Sequence, residues 1–175
     1  VIAGADTFSC DGAPVQVSVM AMHVSGVYWE TRGNGIFDDR TSLNPVYTPG
    51  SADLSAGGVW LVVKGFGSAT CMGTLDTDSL YVEIKPLPTA IISGVDTICR
   101  GEQAQFTLQL TGTAPWTVVV SNGLNSWTFN NIQTAVYQAA VSPMVTTSYF
   151  ITSVQDAFCN GTQMQGLATV YVNPN

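Results

Sequence analysis

Basic residues are scarce in this chain. Lys and Arg together number 5 against 12 Asp and Glu, and the net charge is −7. That balance repels a phosphate backbone and an anionic leaflet, so nucleic acid and membrane surfaces have no electrostatic purchase here. Histidine is scarcer still. His23 is the single one, and one histidine is no basis for a hydrolytic triad. No Cys-x-x-Cys occurs, which weakens any zinc reading of the four cysteines. No apolar run approaches the roughly 20 residues of a membrane span. No segment keeps a helical period over three turns, which points to an all-β chain. Charged residues make up only 10% of the sequence. Its polar surface must come from Thr, Ser, Asn and Gln, a composition common among secreted β proteins.

What is present is a duplication. Asp6-Thr7-Phe8-Ser9-Cys10-Asp11-Gly12 returns, one residue shorter, as Asp96-Thr97-Ile98-Cys99-Arg100-Gly101. Each copy runs into alternating apolar residues, then a tryptophan (Trp29, Trp116), then a second cysteine (Cys71, Cys159). A period of about 90 residues is too long for a solenoid and fits a small β-sandwich. The expectation is two sandwich domains, 1–86 and 87–175, joined by Lys85-Pro86-Leu87-Pro88. Two prolines there fix φ and stiffen the connection. Val1 opens inside a strand-like segment, which suggests a piece of a longer exported chain.

The strands are legible from their alternation. Val15, Val17 and Val19 form one in the first repeat, followed by Val27–Thr31, Pro45–Thr48, Val59–Phe66 and Ser79–Ile84. Ser51 to Ala56 is expected to make one helical turn, with Ser51 as cap and Asp53 near its positive end. The second repeat follows with Ala104–Leu108, Trp116–Val120, Ser126–Phe129, Ala135–Ala140, Thr147–Val154 and Ala168–Val172. Trp29 is read as the counterpart of Trp116, and Tyr81 of Tyr171. Both matched tryptophans are expected in the core. Trp60 and Trp127 have no partner in the other repeat; a core or interface role is the favoured reading, with an exposed aromatic platform as the alternative for one of them.

Few groups suggest chemistry. Asp38-Asp39 and Asp76-Thr77-Asp78 are acidic loop pairs that offer oxygen ligands to calcium, but neither has the spacing of a calcium loop. The favoured reading is solvated loop charge, with no cofactor and no metal. Asp6 with Glu30, or Asp38 with Glu30, would be the carboxylate pair of a glycosidase. Nothing in the sequence sets them in a cleft. His23 reads as an exposed turn residue.

Several segments resemble a known group. Ala3-Gly4-Ala5-Asp6-Thr7 with Cys10 and Gly12 is similar to the opening of immunoglobulin-like and PKD-like repeats in very large Bacteroidetes surface proteins. So are Leu43–Asp53, Gly57–Leu61, Pro88–Gly94 and Leu110–Trp116. The resemblance covers nearly the whole chain. It implies stalk repeats of an adhesin exported by type IX secretion, without catalysis. Trp29–Gly35 departs from the Trp-Asp-Phe-Gly-Asp-Gly signature of strict PKD domains. Asp78-Ser79-Leu80 and Asp96-Thr97-Ile98 resemble the O-glycosylation signal of that phylum, which makes Ser79 and Thr97 candidate modification sites. Asn160-Gly161-Thr162 matches an N-glycosylation sequon that a bacterial origin would leave idle.

The cysteines read as a disulfide framework and so as an oxidising, extracellular compartment. Repeat symmetry suggests Cys10–Cys71 and Cys99–Cys159. Strand order argues otherwise, because those positions fall at opposite ends of a sandwich, beyond the roughly 7 Å that a disulfide spans. A head-to-tail stack would instead pair Cys10 with Cys159 and leave Cys71 and Cys99 to neighbouring modules. Both patterns remain open at this level. The function expected is spacing and scaffolding, with neighbouring repeats of the parent chain as partners and surface glycans or other cell-surface proteins as further candidates. The alternatives are a pair of carbohydrate-binding modules, which would need exposed aromatics on a sheet face, or accessory domains of a secreted hydrolase.

Overall fold

A computed structural model describes residues 1–67 and 75–173. The chain divides into two units, Val1–Lys85 and Pro86–Asn175, the second beginning at the first of the two linker prolines.

Among the described residues, unit 1 holds nine strands and one short helix: β1 (Ile2–Ala3), β2 (Thr7–Cys10), β3 (Val15–Gln16), β4 (Val19–Met20), β5 (Val24–Thr31), β6 (Ile36–Phe37), β7 (Val46–Thr48), α1 (Ser51–Ala56), β8 (Gly58–Gly67) and β9 (Leu75–Lys85). One sheet runs β2-β9-β8-β5, another β3-β7-β6, and β1 pairs with β4. Their facing sides supply one core. Val27, Trp29, Leu61, Val63, Leu80 and Val82 come from the larger sheet, while Phe37 and Tyr47 come from the smaller. Trp29 packs on Phe37 at 5.8 Å and Phe37 on Tyr47 at 4.9 Å, so the aromatic contacts cross the core.

The single strand expected over Val15–Val19 is split into β3 and β4. Its neighbour explains the break. Val17 and Val19 donate to the carbonyls of Pro45 and Leu43, but Pro45 has no N–H to return. The helix starts one residue earlier than expected. Gly50, not Ser51, is the cap, because the Asp53 carboxylate reaches back to accept from the Gly50 amide at 2.9 Å. Gly57 ends the helix in the left-handed conformation at φ 74°.

Unit 2 is built from β10 (Thr89–Cys99), β11 (Ala104–Leu110), β12 (Trp116–Ser121), β13 (Ser126–Ile132), β14 (Val136–Val141), β15 (Thr147–Gln155) and β16 (Gln163–Asn173). They form one continuous sheet in the order β13-β12-β15-β16-β10-β11-β14. The sheet folds over a core that includes Ile92, Phe106, Leu108, Val118, Val120 and Tyr149. β10 belongs to both layers. It pairs with β11 over Ala90–Ser93 and runs parallel to β16 along its whole length. Gly94, at φ 145°, sits just past the point where the β11 ladder stops. A Cβ there would lie 3.2 Å from that of Phe106.

Each unit thus closes with a parallel pair, β2–β9 or β10–β16, that strand alternation alone did not reveal. The registers also test the repeat alignment. Val59 opposes Val82 and Leu61 opposes Leu80 in unit 1, as Thr147 opposes Val170 and Tyr149 opposes Ala168 in unit 2. Trp60–Tyr81 therefore corresponds to Ser148–Thr169. Tyr171 falls at the place of Glu83, not of Tyr81. Trp29 opposes Val63, and in unit 2 Val120 opposes Ile151 at the matching point. Both tryptophans are buried, but Trp116 lies four residues earlier in its strand, roughly 13 Å from Val120.

Candidate functional site

A concave polar–aromatic feature of unit 1 lies where β5, β8 and β9 meet α1. Its floor begins with Asp53, only 2% exposed. One carboxylate oxygen accepts from the Asn34 amide at 3.1 Å. The other accepts from the Gly35 amide at 3.1 Å, the Gly50 amide at 2.9 Å and the Tyr47 hydroxyl at 2.6 Å. Tyr47 in turn meets Thr31 Oγ1 at 2.8 Å. Burial pushes the Asp53 carboxyl up, but the Tyr47 hydroxyl and the three amides outweigh it and hold the group below the usual carboxylate range. Burial, reinforced by Asp53, pushes the Tyr47 hydroxyl up to about 12. These groups are satisfied among themselves. They form a structural latch that fixes the 33–35 turn to the helix start.

Above that floor lies a cleft of about 440 Å³ lined by Arg32, Ala52, Ala56, Gly58, Trp60 and Tyr81, with Gly33, Asp53 and Val59 beneath. Trp60 is 49% exposed and its ring centroid lies 5.2 Å from that of Tyr81. Trp60 is therefore not a core residue. Trp127 differs: it is half-buried and packs edge-on against Tyr149 at 5.3 Å.

The other candidate groups lie apart. His23 is exposed on a bend before β5, at φ 57°. Asp6 accepts from the Tyr81 amide at 2.7 Å, Glu30 pairs with Lys64, and Asp38 accepts from the amides of Asp39 and Val46. Each carboxylate has its own separate work. Asp39 accepts from the Thr41 amide and hydroxyl. Asp76 pairs with the N-terminal ammonium, and Asp78 accepts from the Ala3 amide at 2.9 Å. Among the described residues no group of three or more His, Cys, Asp or Glu is placed to hold a metal ion. Ser79 and Thr97 are both exposed on strands, each with its own amide donating to the preceding aspartate at 2.8 Å.

Cys10 and Cys159 are disulfide-bonded, whereas Cys99 is a free, exposed thiol. Cys71 lies outside the described residues. The within-repeat bridge Cys99–Cys159 is therefore not formed. Strand length explains this. Cys99 ends β10 beside Asn173, while the 156–161 loop that carries Cys159 packs on Pro88 before the start of β10. Ten strand steps separate the two ends of β10, roughly 33 Å. Cys10, at the end of β2, lies beside Lys85.

Comparison with known proteins agrees with this architecture. Residues 93–166 match a family described as the Ig-like domain of nucleoporin POM152. No curated protein matches the sequence. Among solved structures, a three-immunoglobulin-domain fragment of titin carrying an E-to-A change is similar at TM-score 0.60 and 9% identity. It covers 97% of this chain and 63% of its own. An I-band fragment of titin is similar at TM-score 0.59 and 9% identity, covering 99% of this chain and 63% of its own. Extracellular domains 3–5 of Drosophila OTK follow at TM-score 0.52 and 10% identity, covering 97% of this chain and 59% of theirs. The chain thus spans about three-fifths of these structures. At such identities the likeness establishes the fold: the chain is a tandem of immunoglobulin-like β-sandwiches.

Proposed function

We propose that the chain is a pair of spacer repeats from a secreted bacterial cell-surface protein of adhesin type, with a mechanical role and no catalysis. The observation that carries this reading is how the two buried carboxylates are used. Asp53 and Asp156 are the only buried acids among the described residues, and both serve backbone amides of their own unit. An acid or base kept for catalysis would face a substrate. The lone histidine sits on an exposed bend. A tandem of immunoglobulin-like units with disulfide-bonded cysteines supports the same reading, as does the resemblance to Bacteroidetes surface repeats. No helix among the described residues is long and apolar enough to cross a membrane.

In this reading the neighbouring repeats of the parent chain are the first partners, and free Cys99 is available to one of them. Ser79 and Thr97 are O-glycosylated in the native host, since each hydroxyl is exposed beside its motif aspartate. The decisive test is the sequence of the parent protein. Many further repeats of this kind, with an export signal, support the spacer. A hydrolase domain in the same chain overturns it and makes this pair an accessory region.

A further inference from the structure

We propose that the cleft formed by Arg32, Trp60 and Tyr81 in unit 1 binds a carboxylate-bearing saccharide, a uronic acid ring stacked on Trp60 with its carboxylate on Arg32. This goes beyond the spacer reading, which needs no ligand.

The three side chains come from one cross-strand row. The Arg32 amide donates to the Trp60 carbonyl at 2.9 Å, and Trp60 opposes Tyr81 in the ladder. With strands about 4.8 Å apart, the row is roughly 10 Å wide, enough for one or two sugar rings. Trp60 and Tyr81 together present adjoining ring surface along this row. A pyranose ring presents C–H groups on one face and can cover an indole while its hydroxyls stay in water. The cleft volume falls in the range of small-molecule sites, about 300–1,000 Å³.

Charge selects among sugars. Lys64 and Lys85 are neutralised by Glu30 and Glu83, whereas Arg32 has no carboxylate partner among the described residues. Its guanidinium is exposed and suited to a two-pronged bond with a carboxylate. Asp53, beneath, has already accepted four donors, and its charge keeps an acidic group out of the floor and at the Arg32 rim. The floor needs a glycine beside that carboxylate. A Cβ on Gly33 would lie 1.6 Å from Asp53 Oδ1. In unit 2 the equivalent row carries Ser148 and Thr169, whose hydroxyls bond each other at 3.0 Å, so only one site per chain is expected.

The test is titration of the intact chain with trigalacturonate, followed by the indole N–H resonances of the four tryptophans. Neutral cellotriose and a triglutamate peptide serve as parallel arms. The site predicts a shift of the Trp60 resonance with trigalacturonate alone. Arg32→Ala should weaken binding at least tenfold and remove most of its salt dependence. Trp60→Ala should abolish it, and Trp60→Phe should restore part. Equal binding of cellotriose, equal binding of triglutamate, or an unmoved Trp60 resonance at millimolar trigalacturonate would each overturn the proposal. Both substituted positions are on the surface, and an unchanged far-ultraviolet circular dichroism spectrum confirms that the variants fold.

Discussion

Each unit buries one carboxylate, but at different places in the same fold. In unit 1, Asp53 stands at the start of α1 and gathers the 33–35 turn, the Gly50 amide and the Tyr47 hydroxyl. In unit 2 the chain passes from β14 to β15 through 142–146 without a helix. There Asp156, 6% exposed, lies after β15 and accepts from Thr113 at 2.9 Å, Phe158 at 2.8 Å and Cys159 at 2.7 Å. The tryptophans diverge likewise, since Val120 occupies in unit 2 the place of Trp29. An immunoglobulin-like sandwich fixes its ladders, yet the polar latch and the largest core side chain can settle at more than one point. What the duplicates share is the layout. What they spend on stability is arranged locally.

This contrast can be broken or sharpened, beginning with the largest effect. Cys10 and Cys99 are repeat equivalents, at strand ends beside Lys85 and Asn173, yet only Cys99 is free. Iodoacetamide should label Cys99 fully in native, unreduced protein and leave Cys10 and Cys159 unlabelled, as peptide mass mapping would show. Next, Trp29→Ala should cost about 3–5 kcal/mol in urea unfolding of unit 1, as for large aromatic truncations in a core. Asp53→Ala should cost about 3 kcal/mol, because it strands four donors in a buried site. Asp156→Ala should leave unit 1 unaffected, so hydrogen exchange should report the two losses in different halves of the chain.

Unit 1 should also respond to pH at both extremes. The Asp53 carboxyl is held below its unfolded value, so in acid the unfolded chain binds the proton first. Its stabilisation is complete above about pH 4 and is lost as pH falls through its lower folded value. Tyr47 is the opposite case. Raised from 10 to about 12, it keeps its proton in the folded state after the unfolded chain has lost it, so stability falls between those values. Unfolding followed by tyrosine and tryptophan fluorescence should show both arms, and Tyr47→Phe should remove the alkaline one. The smallest effect is expected at the surface. Exchanging Trp60 and Tyr81 for the Ser and Thr that unit 2 carries there should change stability by no more than about 1 kcal/mol. A larger loss would mean that Trp60 is a packing residue.

Much of this was legible in the residues. Alternation located β8, β11, β12 and β15, and the recurring Asp-Thr and cysteine spacing revealed the duplication. Other features depended on contacts that no local pattern encodes. Val15–Val19 itself carries no signal of its break, which comes from Pro45, more than 25 residues later, through the ladder it cannot complete. The match of Trp29 to Trp116 failed because spacing counts residues, whereas register counts hydrogen-bonded partners. The cleft was half-visible: Trp60 stood out as a tryptophan without a counterpart, but Arg32 and Tyr81 joined it only when three strands aligned.

The central claim is that these are two immunoglobulin-like sandwiches, each holding itself together. Stretching the intact chain by its ends in an optical trap, with reductant present, tests it most directly. The account predicts two separate unfolding events, each releasing roughly 300 Å for about 85 residues at ~3.5 Å apiece. A single event that releases both halves together would contradict it.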